Sequence, residues 1–243
     1  MTAETLQASQ LKHRDYVAAV EDYYRRGWTD GLPVIPPEPA RVAAFLDAGG
    51  VTAREVVGAV PTRDVIVTAE DVAINAVMAG CLPEYASVAL TAVRALLHDE
   101  AIPHSVTATL GSAAQLIIVN GPMREQIGVE CGQGCMGPGF RANATIGRAL
   151  RLVVRNVLRT IPHELDRGVF STPNRYSFCL TSWKWILPSP SKKPATYDAS
   201  NAFICWPSLG IALNHVRGGS GFHRYEPVST QGLLPGDAVC STF

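Results

Sequence analysis

One stretch, residues 120–159 (NGPMREQIGVECGQGCMGPGFRANATIGRALRLVVRNVLR), constrains this chain most. An apolar run, AQLIIVNG, feeds into it and stops at Asn120-Gly121-Pro122. A loop with five glycines and two cysteines follows over 128–139. The stretch then closes in a helix, because Ile146, Leu150, Val153, Val154, Val157 and Leu158 recur at three- and four-residue steps. Arg148, Arg151, Arg155 and Arg159 fall mostly off that stripe. A glycine-rich turn entering a helix leaves backbone N–H groups unpaired, and such a place favours anions. Gly137 and Gly139 lead into it, and Arg141 and the Asn143 amide stand at its mouth, so the sequence predicts an anion-binding cup here.

A core large enough to carry such a helix is within reach, since 243 residues with 47% hydrophobic and 17% charged side chains are ordinary for a globular protein. Basic and acidic residues number 21 each, so bulk charge points to neither nucleic acid nor a membrane surface. No apolar run reaches the roughly 18 residues that a bilayer span needs. The N-terminal segment, MTAETLQASQLKHRDY, lacks a secretory apolar core, and a cytoplasmic location is expected. Six scattered cysteines in a chain of this size read as thiols sooner than as structural disulfides.

Residues 14–27 predict an amphipathic helix with Tyr16, Val17, Val20, Tyr23 and Tyr24 inward and a stop at Gly27. The proline-rich GWTDGLPVIPPEP that follows cannot be regular structure. It reads as a wrapping connector anchored by Trp28, with Asp30 as a candidate ligand contact. A short helix is expected at 40–49, then brief strands at 56–60 and 65–67. Thr68 and Asp71 have the spacing of a capping box, opening a helix that ends near Gly80. A second helix from Glu84 to about His98 completes a hairpin, with Cys81 at its corner. Residues 104–110, 114–119 and 175–181 read as strands, as does AFICW at 202–206, with a SLGIAL segment beyond it. LPSPSKKPAT at 187–196 is the linker or exposed-loop candidate.

Common catalytic signatures (GxGxxG, the P-loop, HExxH, GxSxG) do not occur. Cys131 and Cys135 are the one local cysteine pair. Zinc would need a second soft pair, which the sequence does not offer, so no metal is expected. The CxxxC spacing exceeds the usual redox CxxC by one residue, although a glycine loop bends easily enough for a disulfide. A third option is a nucleophilic thiolate: helix-terminal N–H groups and an arginine lower a thiol pKa, whereas Glu130 beside Cys131 raises it. Filling of small gaps by both sulfurs is the bland alternative. Among His104, His163, His215 and His223, the most attractive acid–base candidate is His215, in LNHVRGG, where an apolar run opens into glycines beside Arg217.

GWTDGLPVIPP, EDVAINAVMAGCLPEY and NGP…GPGFRANATIGRALRLVVRNV together resemble a bacterial family of poorly characterised proteins. Its members are often encoded beside, or fused to, a thiol protein or selenoprotein with a U-G-S-C or C-x-S-C motif. The resemblance covers residues 27–160 well and weakens toward 216. It implies functional weight at Asp30, Asn75, Cys81, Glu84, Tyr85, Asn120, Gly137, Gly139, Arg141, Asn143 and Arg148, and it implies a thiol or selenoprotein-like partner. Three departures stand out. Relatives read approximately GINAGTGLFGPG where this chain has GVECGQGCMGPG, so Cys131 and Cys135 look like additions. An acidic ENEE-type segment is replaced by LTSWKWILPSPSKK, and a glutamate-glycine-proline-histidine feature by SLGIALNHV. Divergence of this kind fits a specialised-metabolism substrate.

The expected fold is α/β, with α+β as the alternative because two helices fall in succession between 70 and 98: a mixed sheet with helices packed on it. One main domain is expected at 1–186, then the linker, then a C-terminal segment at 197–243 packing on that domain. Three functions compete. The first is an enzyme for an anionic small molecule, doing redox, lyase or transfer chemistry through Cys131, Cys135 and His215, with a cofactor left unspecified. Its substrate would meet Asp30, Cys81, Glu84, Tyr85, Asn120, Gly137, Gly139, Arg141 and Asn143. The second is a substrate-binding or assembly subunit of a multicomponent thiol-dependent enzyme. The third is a bridging protein, a homo- or hetero-oligomer whose arginine helix lies at a subunit interface.

Overall fold

A computed structural model of the chain describes residues 6–108, 110–111, 113–169 and 173–181, together with the backbone of three later strands. The linker expected at 187–196 lies outside the described residues. In chain order the elements are α1 (Tyr16–Arg25), α2 (Pro39–Gly49), β1 (Val56–Val60), β2 (Val65–Thr68), α3 (Ala69–Ala79), α4 (Ala86–Leu96) and α5 (Pro103–Ala108). They continue with β3 (Leu116–Asn120), α6 (Met123–Gln126), α7 (Arg141–Asn156), β4 (Cys179–Thr181), β5 (Asn201–Cys205), β6 (Ile211–Val216) and β7 (Gly219–Arg224). Strands β1 and β2 form a separate antiparallel hairpin, and the remaining strands run in the order β4-β3-β5-β6-β7. β3 pairs with β4 in parallel and with β5 antiparallel. This is a mixed α/β fold with a mixed sheet.

Helix α3 is the central element, buried on nearly every side. Its start is set chemically: the Thr68 hydroxyl accepts from Asp71 N at 3.2 Å and the Asp71 carboxylate accepts from Thr68 N at 2.9 Å. The expected capping box therefore closes with the shorter Asp in place of Glu. Its end is equally defined. Gly80 takes the left-handed conformation (φ 97°), which lets Cys81 N reach Ala76 O at 2.9 Å and Gly80 N reach Val77 O at 3.0 Å, a Schellman pair. From there a single tight turn at Pro83–Tyr85 passes the chain to α4.

Helix α7 lies along α3 and also touches α4 and β4. Its stripe holds: Ile146, Leu150, Val153, Val154 and Leu158 are all buried, each worth about 1.5–3 kcal/mol relative to exposure. Val157 is partly buried. The close approach of β4's lead-in is set by Gly147. A Cβ there would lie 2.6 Å from the Phe178 amide nitrogen, so only glycine fits without moving backbone.

Three local expectations need correction. Residues 104–110 do not form a strand; Pro103–Ala108 is helix α5. Pro103 presets helical φ at the first position, and the Thr107 hydroxyl donates back to Pro103 O at 2.6 Å, a bond that overrides its β-branched preference. In α1 the buried face is Ala19, Val20 and Tyr23, while Tyr16 and Val17 are 57% and 66% exposed. The first turn of α1 thus projects beyond the core, whereas the periodicity placed it inside. Finally, the strand expected at 175–181 shrinks to Cys179–Thr181, with all three residues buried where alternation was expected. Its lead-in is spent on a turn at Pro173–Arg175 and on packing over Gly147.

Gly147→Ala is expected to lower stability by about 1–3 kcal/mol, because overpacking against backbone exceeds the roughly 1 kcal/mol gained in helix propensity. Denaturant unfolding of wild type and variant measures it, and a stabilised variant would contradict this packing.

Candidate functional site

Helix α7 places arginines at 141, 148 and 155, seven residues apart. An α-helix drifts only ~20° over that interval, so the three share one face. Each donates to backbone carbonyls of irregular segments. Arg141 Nε and Nη2 reach Gly80 O at 3.1 and 3.0 Å, satisfying the C-terminal end of α3. Arg148 grips Asp30 with two bonds of 2.8 Å and donates to Pro33 O at 2.9 Å and Leu32 O at 3.3 Å. Arg155 Nη2 reaches Gly27 O at 3.2 Å. One residue on, the Asn156 amide donates to Trp28 O and to the Asn75 side chain, which itself donates to Asp71 O. The proline-rich connector is thereby laced to α7. Asp30, whose side chain is 6% exposed, has both oxygens on Arg148.

The glycine loop hangs on the N-terminal turn of the same helix. No side chain caps α7 at Phe140, so its first-turn amides keep their anion-attracting character. Asn143 is buried and its amide is spent inward. Its Oδ1 accepts from Glu130 N at 2.9 Å, and its Nδ2 donates to Glu130 O at 3.0 Å and to Cys135 O at 3.3 Å. Ser177 in turn donates to Asn143 O at 3.0 Å. Between those anchors the loop folds through two tight turns, Cys135 N to Gly132 O and Gly137 N to Gly134 O. Cys131 and Cys135 are both free thiols, half-buried, and within electrostatic reach of each other. Met136, Gly137, Pro138, Gly139 and Arg141 are exposed around them. The thiolate stabilisation considered from sequence does not hold for Cys135. Burial first, then Cys131 and Glu130, push its thiol up, and a backbone hydrogen bond only partly offsets them.

A second thiol pair sits beneath. Cys81, at the α3–α4 corner, is pushed up to about 12 by burial, against weaker pulls from a Thr145 hydrogen bond and the Arg141 charge. Cys179 on β4 is raised by burial and by Cys81 beside it. Tyr85 is buried near Arg141, and its phenol is raised by burial. Glu84 is exposed. Cys81, Tyr85, Arg141, Asn143, Cys131 and Cys135 thus gather about the N-terminal turn of α7, with Asp30 two turns further along.

Other expected residues stand elsewhere. Asn120 closes β3, in register with Asn201 of β5. His215 lies in β6 opposite Ser220, and its side chain is outside the described residues. His104 accepts from Arg63 Nε at 3.1 Å. That arginine also reaches His104 O, Thr107, Leu158 O and Thr160, a hub that no sequence pattern marks, because its partners come from segments distant along the chain. Cys179 beside Cys81 was equally invisible from sequence, since only the fold brings the corner and β4 together. Among the described residues no group of three or more His, Cys, Asp or Glu side chains is placed to hold a metal ion. Compared with family models, with curated proteins and with solved structures, the chain finds no match.

Asp30→Asn leaves Arg148 buried without its carboxylate and is expected to cost about 3–5 kcal/mol in denaturant unfolding; a loss under 1 kcal/mol would contradict the clamp. Cys81 gives a pH test. Burial holds its proton more tightly in the fold than in the unfolded chain, so the stability it contributes is intact below the ordinary 9.0 and is lost as pH rises toward about 12. Cys81→Ala should flatten the alkaline decline across that interval, whereas parallel curves for both proteins would contradict it.

Proposed function

We propose that the chain is a small-molecule enzyme, fitting specialised metabolism, that uses the Cys131–Cys135 loop for thiol redox chemistry on an anionic substrate. The observation that carries this reading is the Asn143 amide. By drawing the backbones of Glu130 and Cys135 onto one side chain, it folds both thiols to the mouth of an uncapped helix N-terminus. Arg141 adds positive charge at the same mouth. Redox chemistry is favoured over simple nucleophilic transfer because Cys135 is held protonated at neutral pH, the state suited to a resolving partner.

The Cys131 thiolate attacks one sulfur of a substrate disulfide, forming a mixed disulfide and expelling the first thiolate, which takes the Cys135 proton. Cys135 sulfur then attacks Cys131 sulfur, and the second substrate thiolate leaves. The chain retains a Cys131–Cys135 disulfide and the substrate leaves as one thiol and one thiolate, which takes a proton from solvent, the electron pair having come from the protein. An external dithiol returns the loop to its reduced form. Such a cycle requires a reducing compartment, which suits a cytoplasmic protein; among the described residues no helix is long and apolar enough to cross a membrane.

The test is turnover of dithiobis-nitrobenzoate, an anionic disulfide, with a dithiol as reductant and cystamine as the cationic comparison. Wild type should prefer the anion. Cys131→Ser should lose turnover by on the order of 10³-fold or more, and Cys135→Ser should stall as a mixed disulfide detectable by mass, both with unfolding midpoints near wild type. Unchanged kinetics in both variants would remove the thiols from the mechanism.

A further inference from the structure

The later turns of α7 carry a second charged cluster, about 15 Å along the helix from Arg141 at 1.5 Å per residue. Arg151 Nη2 donates to Asp166 Oδ2 at 2.8 Å, and Arg175 Nη2 donates to the same oxygen. The other carboxylate oxygen of Asp166 accepts from Gly168 N at 3.2 Å. All three side chains are largely buried, with Arg151 12%, Arg175 15% and Asp166 6% exposed. Arg155 stands within electrostatic reach of Arg151. Asp166 therefore pairs with two guanidiniums, and Arg155 adds a third positive charge beside Arg151, leaving an excess of positive charge.

The donors are left over as well. Arg151 Nη1, Arg155 Nε and Arg175 Nε are buried, and none has a hydrogen-bond partner. Buried polar groups are almost always satisfied, and buried charges are paired, so three unspent donors on three neighbouring cations call for an acceptor. Asp166 already bridges two of the arginines and fixes their guanidinium planes, which keeps the remaining N–H groups available. Burial first, then the neighbouring Arg175, pull Arg151 down to about 10 against the opposing pull of Asp166, as expected where one carboxylate is outnumbered by like charges.

We propose that Arg151, Arg155 and Arg175, braced by Asp166, form a binding site for a tetrahedral oxoanion, either free phosphate or the phosphate of a monoester. Three cations against one carboxylate leave two positive charges, which a phosphate dianion neutralises and a single carboxylate does not. Three donors from separate guanidiniums match an acceptor with several oxygens pointing in different directions. The site is independent of the thiol loop at the other end of α7, so either can exist without the other.

The experiment is titration of the full chain with inorganic phosphate at constant ionic strength, chloride being the comparison, followed by calorimetry and by thermal unfolding. Wild type should bind phosphate at one saturable site and unfold at a temperature that rises with phosphate concentration. Arg175→Lys keeps the charge but removes Nε, and Arg155→Gln removes both; each should weaken phosphate by ~10-fold or more. Phenyl phosphate separates the two sources: tighter binding than inorganic phosphate assigns the site to a monoester, weaker binding to the free oxoanion. Wild type that responds to phosphate no more than to chloride, or equal affinity in wild type and both variants, would overturn the site.

Discussion

The structure depends on hydrogen-bond donors carried by one helix. A connector with the composition of GWTDGLPVIPPEP satisfies few of its own carbonyls beyond the Glu38 N to Pro36 O bond, because its prolines supply no N–H and exclude ladder or helix pairing. Those carbonyls must be satisfied from outside, and α7 does so with Arg148, Arg155 and Asn156, while Arg141 serves the carbonyl of Gly80 at the end of α3. Because the arginine row and the apolar stripe are separate faces of one helix, α7 can bury Ile146, Leu150 and Val153 against its neighbours and still bind the connector along its side. Packing and polar satisfaction are thus met by the same sixteen residues.

Much of this was legible from periodicity and caps. The α7 stripe, the Thr68–Asp71 box, the hairpin at 56–67 and the α3–α4 corner all follow local rules, and local rules survive when the tertiary structure agrees with them. Failures came where a long-range contact decided the outcome. Residues 104–110 are β-branched enough to suggest a strand, yet Pro103, the Thr107 back-bond and the grip of Arg63 hold them helical. Tyr16 and Val17 have the spacing of a buried face, but nothing in a single sequence shows where the core ends. The arginines illustrate the same limit. Their row was visible, with an anion expected at Arg141 and a subunit interface as one reading of the rest, whereas Arg148 and Asp30 are two ends of one clamp joining segments 118 residues apart.

Among the described residues, burial separates the cysteines into two kinds. Cys81 and Cys179 lie within the core, where desolvation keeps them neutral and inert, behaving as small hydrophobes. Cys131 and Cys135 sit half-exposed in the glycine loop, where glycine at 132 and 134 allows tight turns and the Asn143 amide stops the loop from spreading. Exposure, proximity and a pinned backbone are the conditions for exchange chemistry, and the core pair lacks the first.

The central claim is that Asn143 holds the two loop thiols in mutual reach. Equilibrating the full chain across a glutathione redox series and mapping disulfides by peptide mass spectrometry tests it most directly. The account predicts a single Cys131–Cys135 disulfide forming in one cooperative two-electron transition, with an Asn143→Ala variant shifted toward separate glutathione adducts. Independent adducts on Cys131 and Cys135 in wild type, with no linked peptide at any potential, would contradict it.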